Sequence, residues 1–419
     1  MSENKKVKVG VFGAGRGGTM MKYCSYADNA ELVAICDWDE VSLHNHDDKN
    51  VALYTNFDEF LKHDMDAVVM ANYANEHAPY AIKAMKAGKH VISEVLPFKH
   101  MKEGIELIEA VEETGMIYAY AENYCYMPAP HEIRELFKNG TLGEFEYAEG
   151  EYMHNCEPAW DKITYGIPEH WRNTMSATFY CTHSIGPMVH IAAAMGNRPV
   201  KVNGFEGPYT SRMARMGALA GHMGMIVITL DNGAILKSIH GVGPSRNSIW
   251  YSCYGSNGRA ESAREDTGHG VDTIYVNADG VIGDVDEIHG AKCYQPKDPL
   301  SEKAAQFGHG GSDFFTMYNF CEKILGREAE IIDIYETCDM FVPGLLAYES
   351  ILEGGTPKAV PNFRNKEERD AYRNNTACTF PEFAGDMLQP SYSKGNPNVD
   401  PYIYEAQKKS YGRDRKYRY

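Results

Sequence analysis

The stretch Val7-Lys8-Val9-Gly10-Val11-Phe12-Gly13-Ala14-Gly15-Arg16-Gly17-Gly18 decides the fold. Val7–Phe12 is a short apolar run that ends in glycines, and Thr19–Tyr26 behind it reads as a helix. A strand, a glycine turn and a helix in that order open a doubly wound parallel sheet. Gly13, Gly15 and Gly18 fit the spacing G-x-G-x-x-G. The first glycine permits a tight turn, the second lets the backbone approach a pyrophosphate, and the third lets helix and strand pack closely.

Working outward, Leu32–Cys36 reads as a second strand, closed by Asp37 nineteen residues after Gly18. An acidic side chain at that point accepts hydrogen bonds from a ribose 2′-OH and repels a 2′-phosphate, which favours NAD over NADP. Arg16, inside the turn, can reach a phosphate. The bland alternative is a glycine-rich turn with an incidental loop aspartate. Asp66–Met70, His90–Ser93 and Ile117–Tyr120 continue as strands, with helices over Glu76–Ala87 and Lys102–Glu113. Strands alternating with helices imply a parallel sheet covered on both faces.

Past Pro128 the pattern changes. His131–Lys138 is helical, Glu144–His154 is a long strand and Ile185–Met195 is a helix. Met223–Leu230, Ala234–His240 and Ile249–Tyr254 read as strands, and Asp231-Asn232-Gly233 is a hairpin signal. Phe314–Leu325 and Asp333–Leu352 read as helices. The expected fold class is therefore α/β. An N-terminal Rossmann fold with a parallel sheet (1–127) precedes an α+β domain with an open, mostly antiparallel sheet (128–363). The polar, aromatic extension 364–419 is either an arm around a neighbouring subunit or a surface strap.

The 419 residues are 43% hydrophobic and 24% charged, ordinary values for a globular chain of two domains. The net charge of −17 argues against nucleic acid, whose phosphates need a basic footprint, and disfavours an anionic membrane surface. No apolar run reaches the ~18–20 residues of a membrane span. The polar start Met1–Lys6 lacks the apolar stretch of a secretory signal, and the ten cysteines include no Cys-x-x-Cys pair. Reduced thiols and a cytoplasmic location are the expectation.

The segment Glu76-His77-Ala78-Pro79-Tyr80-Ala81-Ile82-Lys83-Ala84-Met85-Lys86-Ala87-Gly88-Lys89-His90-Val91 resembles the Gfo/Idh/MocA oxidoreductase family. The resemblance implies a second domain whose open sheet faces the nicotinamide, a dimer or tetramer built on those sheets, and a sugar or cyclitol substrate. Two family motifs are altered. The Glu-Lys-Pro triplet reads Glu94-Val95-Leu96-Pro97, without its lysine, and Lys99 is not expected to replace it. The Asp-x-x-x-His motif falls on His183-Ser184-Ile185-Gly186-Pro187, so the usual acid/base pair is missing.

Both changes resemble the NAD-dependent glycosidases of glycoside hydrolase family 109. That branch's motifs are matched by Glu122-Asn123-Tyr124-Cys125-Tyr126, by Tyr180-Cys181-Thr182-His183-Ser184-Ile185-Gly186-Pro187 and by Gly308-His309-Gly310-Gly311-Ser312-Asp313. The resemblance implies glycoside cleavage by transient oxidation at C3, elimination across C1–C2, addition of water and re-reduction. That chemistry needs a base at the C3 hydroxyl and another at the C2 hydrogen. His183 is the candidate for the first and Tyr126 for the second. Tyr180, His309, Trp171 and Arg172 are candidates for binding the sugar. Asn72, His77, Glu94 and Asn123 join Gly13, Gly15, Arg16, Gly18 and Asp37 as candidates for binding the coenzyme. His154, Glu157 and His170 match no usual ligand spacing, and no metal is expected. Two alternatives remain open: a sugar dehydrogenase that releases a keto-sugar, and a non-catalytic NAD-binding sensor.

Overall fold

The computed structural model describes residues 5–46, 48–264, 270–280 and 291–412. These form two compact units. The first comprises Met1–Met127, Lys297–Cys338 and Arg369–Arg373, and the second Pro128–Pro296, Asp339–Glu368 and Asn374–Tyr419.

The first unit holds a six-stranded parallel sheet. Its strands are β1 (Val7–Phe12), β2 (Ala30–Cys36), β3 (Ala52–Tyr54), β4 (Ala67–Met70), β5 (His90–Ser93) and β6 (Tyr118–Tyr120). Their order is β3-β2-β1-β4-β5-β6, which is the Rossmann arrangement expected from the sequence. Every residue of β4 is buried, as helices on both faces require. Strand β3 is short and lacks a clear apolar run, and the sequence reading passes over it.

Residues 297–338 depart from the linear boundary at 127. Phe307, Phe314, Met317, Phe320 and Cys321 are buried in one core with Met20, Tyr23 and Cys24 of the helix Gly18–Tyr26. The apolar stripe of the helix Ser312–Ile324 is spent on this core. Helical periodicity shows that such a stripe exists and says nothing about which core receives it.

The second unit is built on a nine-stranded sheet. Its strands are β7 (Phe145–Met153), β8 (Pro199–Glu206), β9 (Gly224–Leu230), β10 (Ile235–Gly241), β11 (Ser248–Gly255), β12 (Gly258–Ser262), β13 (Ile274–Ala278), β14 (Lys292–Tyr294) and β15 (Lys358–Ala359). The order is β14-β13-β12-β11-β7-β10-β9-β8-β15, and every neighbouring pair except β7 with β10 is antiparallel. The expected hairpin joins β9 to β10, with Gly233 at φ +91°. The helix Thr182–Ala194 lies close on this sheet. A Cβ at Gly150 of β7 would stand 2.3 Å from the Ser184 carbonyl oxygen, so only glycine admits that approach.

Of the extension, Arg369–Arg373 belongs to the first unit, and the described residues from Asn374 onward belong to the second. In the helix Pro401–Tyr411, Tyr404 Oη donates to Gly217 O (2.7 Å) and Gln407 Nε2 donates to Met216 O (2.9 Å). The Tyr411 ring packs 4.8 Å from that of Tyr165.

Candidate active site

The glycine turn opens the first unit's site. Gly13 has φ +105°, and a Cβ there would lie 2.3 Å from the Ala71 carbonyl, so both torsion and space demand glycine. Around Gly15 nothing lies within 4 Å of a Cβ position, which leaves its backbone open to a ligand. The third role falls on a different residue than expected. A Cβ at Gly18 would meet nothing within 4 Å, whereas one at Gly17 would lie 2.4 Å from Gly13 O and 2.5 Å from Val11 Cγ1. Gly17 is therefore the glycine that brings helix and strand together. Motif spacing selects Gly18 because two glycines are adjacent and the pattern cannot rank them.

Asp37 ends β2, and its carboxylate accepts from the amides of Ala14 (2.7 Å) and Asp39 (2.8 Å). These bonds fix it beside the turn with acceptor capacity remaining. Asn72 follows β4, and its buried Oδ1 has no hydrogen-bond partner among the described residues. An open glycine backbone, a helix N-terminus, a fixed aspartate and an orphaned amide oxygen fit the pyrophosphate and ribose of a dinucleotide.

His77 takes a different place. Its ring is buried, with Nδ1 2.8 Å from Leu96 O and Nε2 3.2 Å from Asn72 O. Burial drives its pKa down to about 4, against the pull of those carbonyls. A neutral imidazole has a single N–H, so His77 donates to one of these two carbonyls, of Leu96 or of Asn72. Lys99, 1% exposed, donates to Asn75 O (2.6 Å) and pairs with Glu103 (2.5 Å). Its ammonium is thus bound within the scaffold and does not replace the missing lysine.

A charged cluster surrounds Asp313 in the same unit. Arg16 Nη2 lies 2.8 Å from Glu94 Oε1 and 3.3 Å from Asp313 Oδ1. Asn123 Nδ2 donates to Asp313 Oδ1 (2.7 Å), and His309 Nδ1 lies 3.0 Å from Asp313 Oδ2. Burial raises the Asp313 pKa, but the His309 hydrogen bond and the Arg16 charge outweigh it and hold the carboxyl at about 2. His309 itself has φ +56° and is followed by Gly310 and Gly311 at +66° and +88°. This left-handed run costs backbone strain at the histidine, as functional sites often do. It also starts the helix Ser312–Ile324 with Asp313 in its first turn. The structure thus brings together Arg16, Glu94, Asn123 and His309 around Asp313. Sequence reasoning left Asp313 without a role, although it closes the quoted Gly-His-Gly-Gly-x-Asp motif. Tyr126 is buried nearby in sequence, and its hydroxyl donates to Glu330 O (3.3 Å), the hydrogen bond of a neutral phenol.

The second unit gathers an aromatic group around His183. This residue stands in the first turn of Thr182–Ala194 and is 7% exposed. The ring of Tyr152 lies 4.7 Å away and that of Tyr180 5.3 Å away, and the Tyr152 hydroxyl is 2.7 Å from His154 Nδ1. Tyr152 escaped the sequence reading. Its signal was its place two residues before His154, on the inward-alternating face of β7. The Arg172 guanidinium sits 4.5 Å over the Trp171 ring and 5.0 Å over the Tyr180 ring. Trp171 itself is 3% exposed, and its ring packs 6.3 Å from that of Phe179. Arg172 and Tyr180 are sugar-facing candidates of that segment.

The three residues weighed as metal ligands are engaged separately. His154 meets Tyr152, Glu157 pairs with Arg212 (2.7 Å) and Arg215 (2.9 Å), and His170 Nδ1 accepts from Arg172 N. Among the described residues no helix is long and apolar enough to cross a membrane.

Residues 7–122 match the model of an oxidoreductase family with an NAD-binding Rossmann fold. Residues 295–369 match the C-terminal domain of glycosyl hydrolase 109. Glycosyl hydrolase family 109 protein 5 of Phocaeicola vulgatus is 25% identical, over 86% of this chain and 78% of its own. A glycosyl hydrolase family 109 protein of Stenotrophomonas maltophilia is 24% identical, over 86% of this chain and 90% of its own. Among solved structures, levoglucosan dehydrogenase with NADH and levoglucosan aligns with a TM-score of 0.70 at 17% identity, covering 85% of this chain and 100% of that one. Scyllo-inositol dehydrogenase of Lactobacillus casei aligns with a TM-score of 0.66 at 15% identity, covering 85% and 99%. The chain is thus similar to the Gfo/Idh/MocA oxidoreductases over its NAD-binding Rossmann segment, residues 7–122, and to the glycosyl hydrolase 109 C-terminal domain over residues 295–369.

Proposed function

We propose that this enzyme acts on a sugar and cleaves a glycoside, with the coenzyme regenerated inside each turnover. The observation that carries this reading is His183 between the rings of Tyr152 and Tyr180, at the position where the family's oxidoreductases carry their motif aspartate. The similarity to glycosyl hydrolase 109 proteins supports it. Gly13, Gly15, Asp37, Asn72 and the Arg16–Glu94–Asn123 cluster would hold NAD, which supplies a hydride acceptor and donor when bound.

The chain's own groups then have separate tasks. His183 takes the proton of the C3 hydroxyl as the general base. Tyr126 takes the C2 proton as a phenolate, which requires its hydroxyl first to give up its proton to solvent and to leave Glu330 O for the sugar. Arg172 and Tyr180 give the sugar a guanidinium and an aromatic face. His309, held by Asp313 through Nδ1, turns its Nε2 to a sugar or ribose hydroxyl. A cytoplasmic location and a homo-oligomer complete the reading.

Incubation with aryl glycosides and substoichiometric NAD tests it. Release of aglycone without net NADH is the expected result. Stoichiometric NADH with no released aglycone would instead identify a plain sugar dehydrogenase. Turnover that survives His183→Ala and Tyr126→Phe unchanged would remove both catalytic assignments.

A further inference from the structure

In an α-helix the amide of residue i bonds the carbonyl of residue i−4. Within Thr182–Ala194, the residue four beyond His183 is Pro187, which has no amide hydrogen. The His183 carbonyl therefore loses its helical donor. It is buried, and the Tyr251 hydroxyl of β11 donates to it instead. Tyr251 is fully buried, and its own amide donates to Ser262 Oγ (3.0 Å).

The surrounding strands make this bond possible. Tyr251 pairs with Gly150 of β7, the glycine over which the Ser184 carbonyl passes. On the next strand, Ser238 Oγ of β10 meets Ser184 Oγ at 2.6 Å. Three adjacent strands thus hold the first turn of the helix: β11 through Tyr251, β7 through Gly150 and β10 through Ser238. We infer that Tyr251 is the positioning residue for His183, fixing by its hydroxyl a backbone that Pro187 has released from the helix. This inference rests on the reading of His183 as a catalytic base, but the bond itself can be tested without it.

The test is a double-mutant cycle. Tyr251→Phe removes only the hydroxyl. Pro187→Ala returns an amide donor to the His183 carbonyl. Tyr251→Phe alone should lower kcat ~10- to 100-fold, the penalty of a slightly misplaced catalytic group, with KM changed less than ~3-fold. It should also lower Tm. Pro187→Ala should recover most of both losses in the double variant and change little alone. Losses in Tyr251→Phe that persist undiminished in the double variant would overturn the inference, as would a Tm loss with kcat unchanged. Recovery of Tm together with turnover indifferent to His183→Ala would uphold the bond and refute the catalytic reading of His183.

Discussion

Gly17 and Gly18 invite a direct comparison, because the motif and the structure assign them opposite importance. Gly17 has φ −61° and ψ −11°, torsions open to any residue, so its requirement is one of space. A methyl there would stand 2.4 Å from Gly13 O and 2.5 Å from Val11 Cγ1. The valine methyl can turn, but the carbonyl belongs to the turn itself. Overpacking of this kind costs ~1–3 kcal/mol, and a rigid backbone atom puts Gly17→Ala at the upper end. Gly18 opens the helix Gly18–Tyr26 with no neighbour within 4 Å. Gly18→Ala should therefore be neutral or gain up to ~1 kcal/mol from helix propensity. Gly15→Ala, also unhindered, should leave the apo protein's stability alone and weaken NAD, because a methyl would enter the space reserved for the pyrophosphate. Urea unfolding of the apo proteins and calorimetric titration with NAD measure both effects. If Gly18→Ala destabilises more than Gly17→Ala, the steric argument is wrong.

Asp313→Asn should cost about 2 kcal/mol near pH 7, from a carboxyl pKa held at about 2 against an ordinary 3.8. A depressed carboxyl pKa stabilises above pH ~4 and loses its effect as the pH falls toward 2, so the deficit should be constant from pH 5 to 8. A deficit under ~0.5 kcal/mol in urea unfolding contradicts this. His77 and His240 are both buried with pKa driven to about 4 by burial. The unfolded chain takes up protons at these sites below pH ~6.5, so stability should fall between pH 6.5 and 4, and His77→Gln should reduce that fall. Thermal midpoints across this range check it; a wild-type midpoint that does not move refutes it. Removal of residues 400–419 strips Tyr404 and Gln407 from the carbonyls of Gly217 and Met216. Tm should drop while the elution volume on size exclusion keeps the wild-type oligomeric state, and a change of oligomeric state would assign this segment to a subunit interface.

Local chemistry made much of this protein legible in one dimension. Val7–Phe12, the glycine turn and Asp37 define the coenzyme end, because a strand, a tight turn and an acidic cap are all short-range features. Alternating strands and helices gave the parallel sheet, and Asp231-Asn232-Gly233 gave the β9–β10 hairpin. His183 was visible through its motif. Tertiary structure alone decided which of two adjacent glycines packs against Val11, since that depends on a distance across the turn. It alone joined residues 297–338 to the first core and brought Asp313, 297 residues after Arg16, to its guanidinium. It buried Trp171 and His77, whose side chains read equally well as ligand contacts until their neighbours are known. And it supplied Tyr251 to the carbonyl that Pro187 leaves unbonded: the vacancy is written four residues from His183, but its partner comes from another strand.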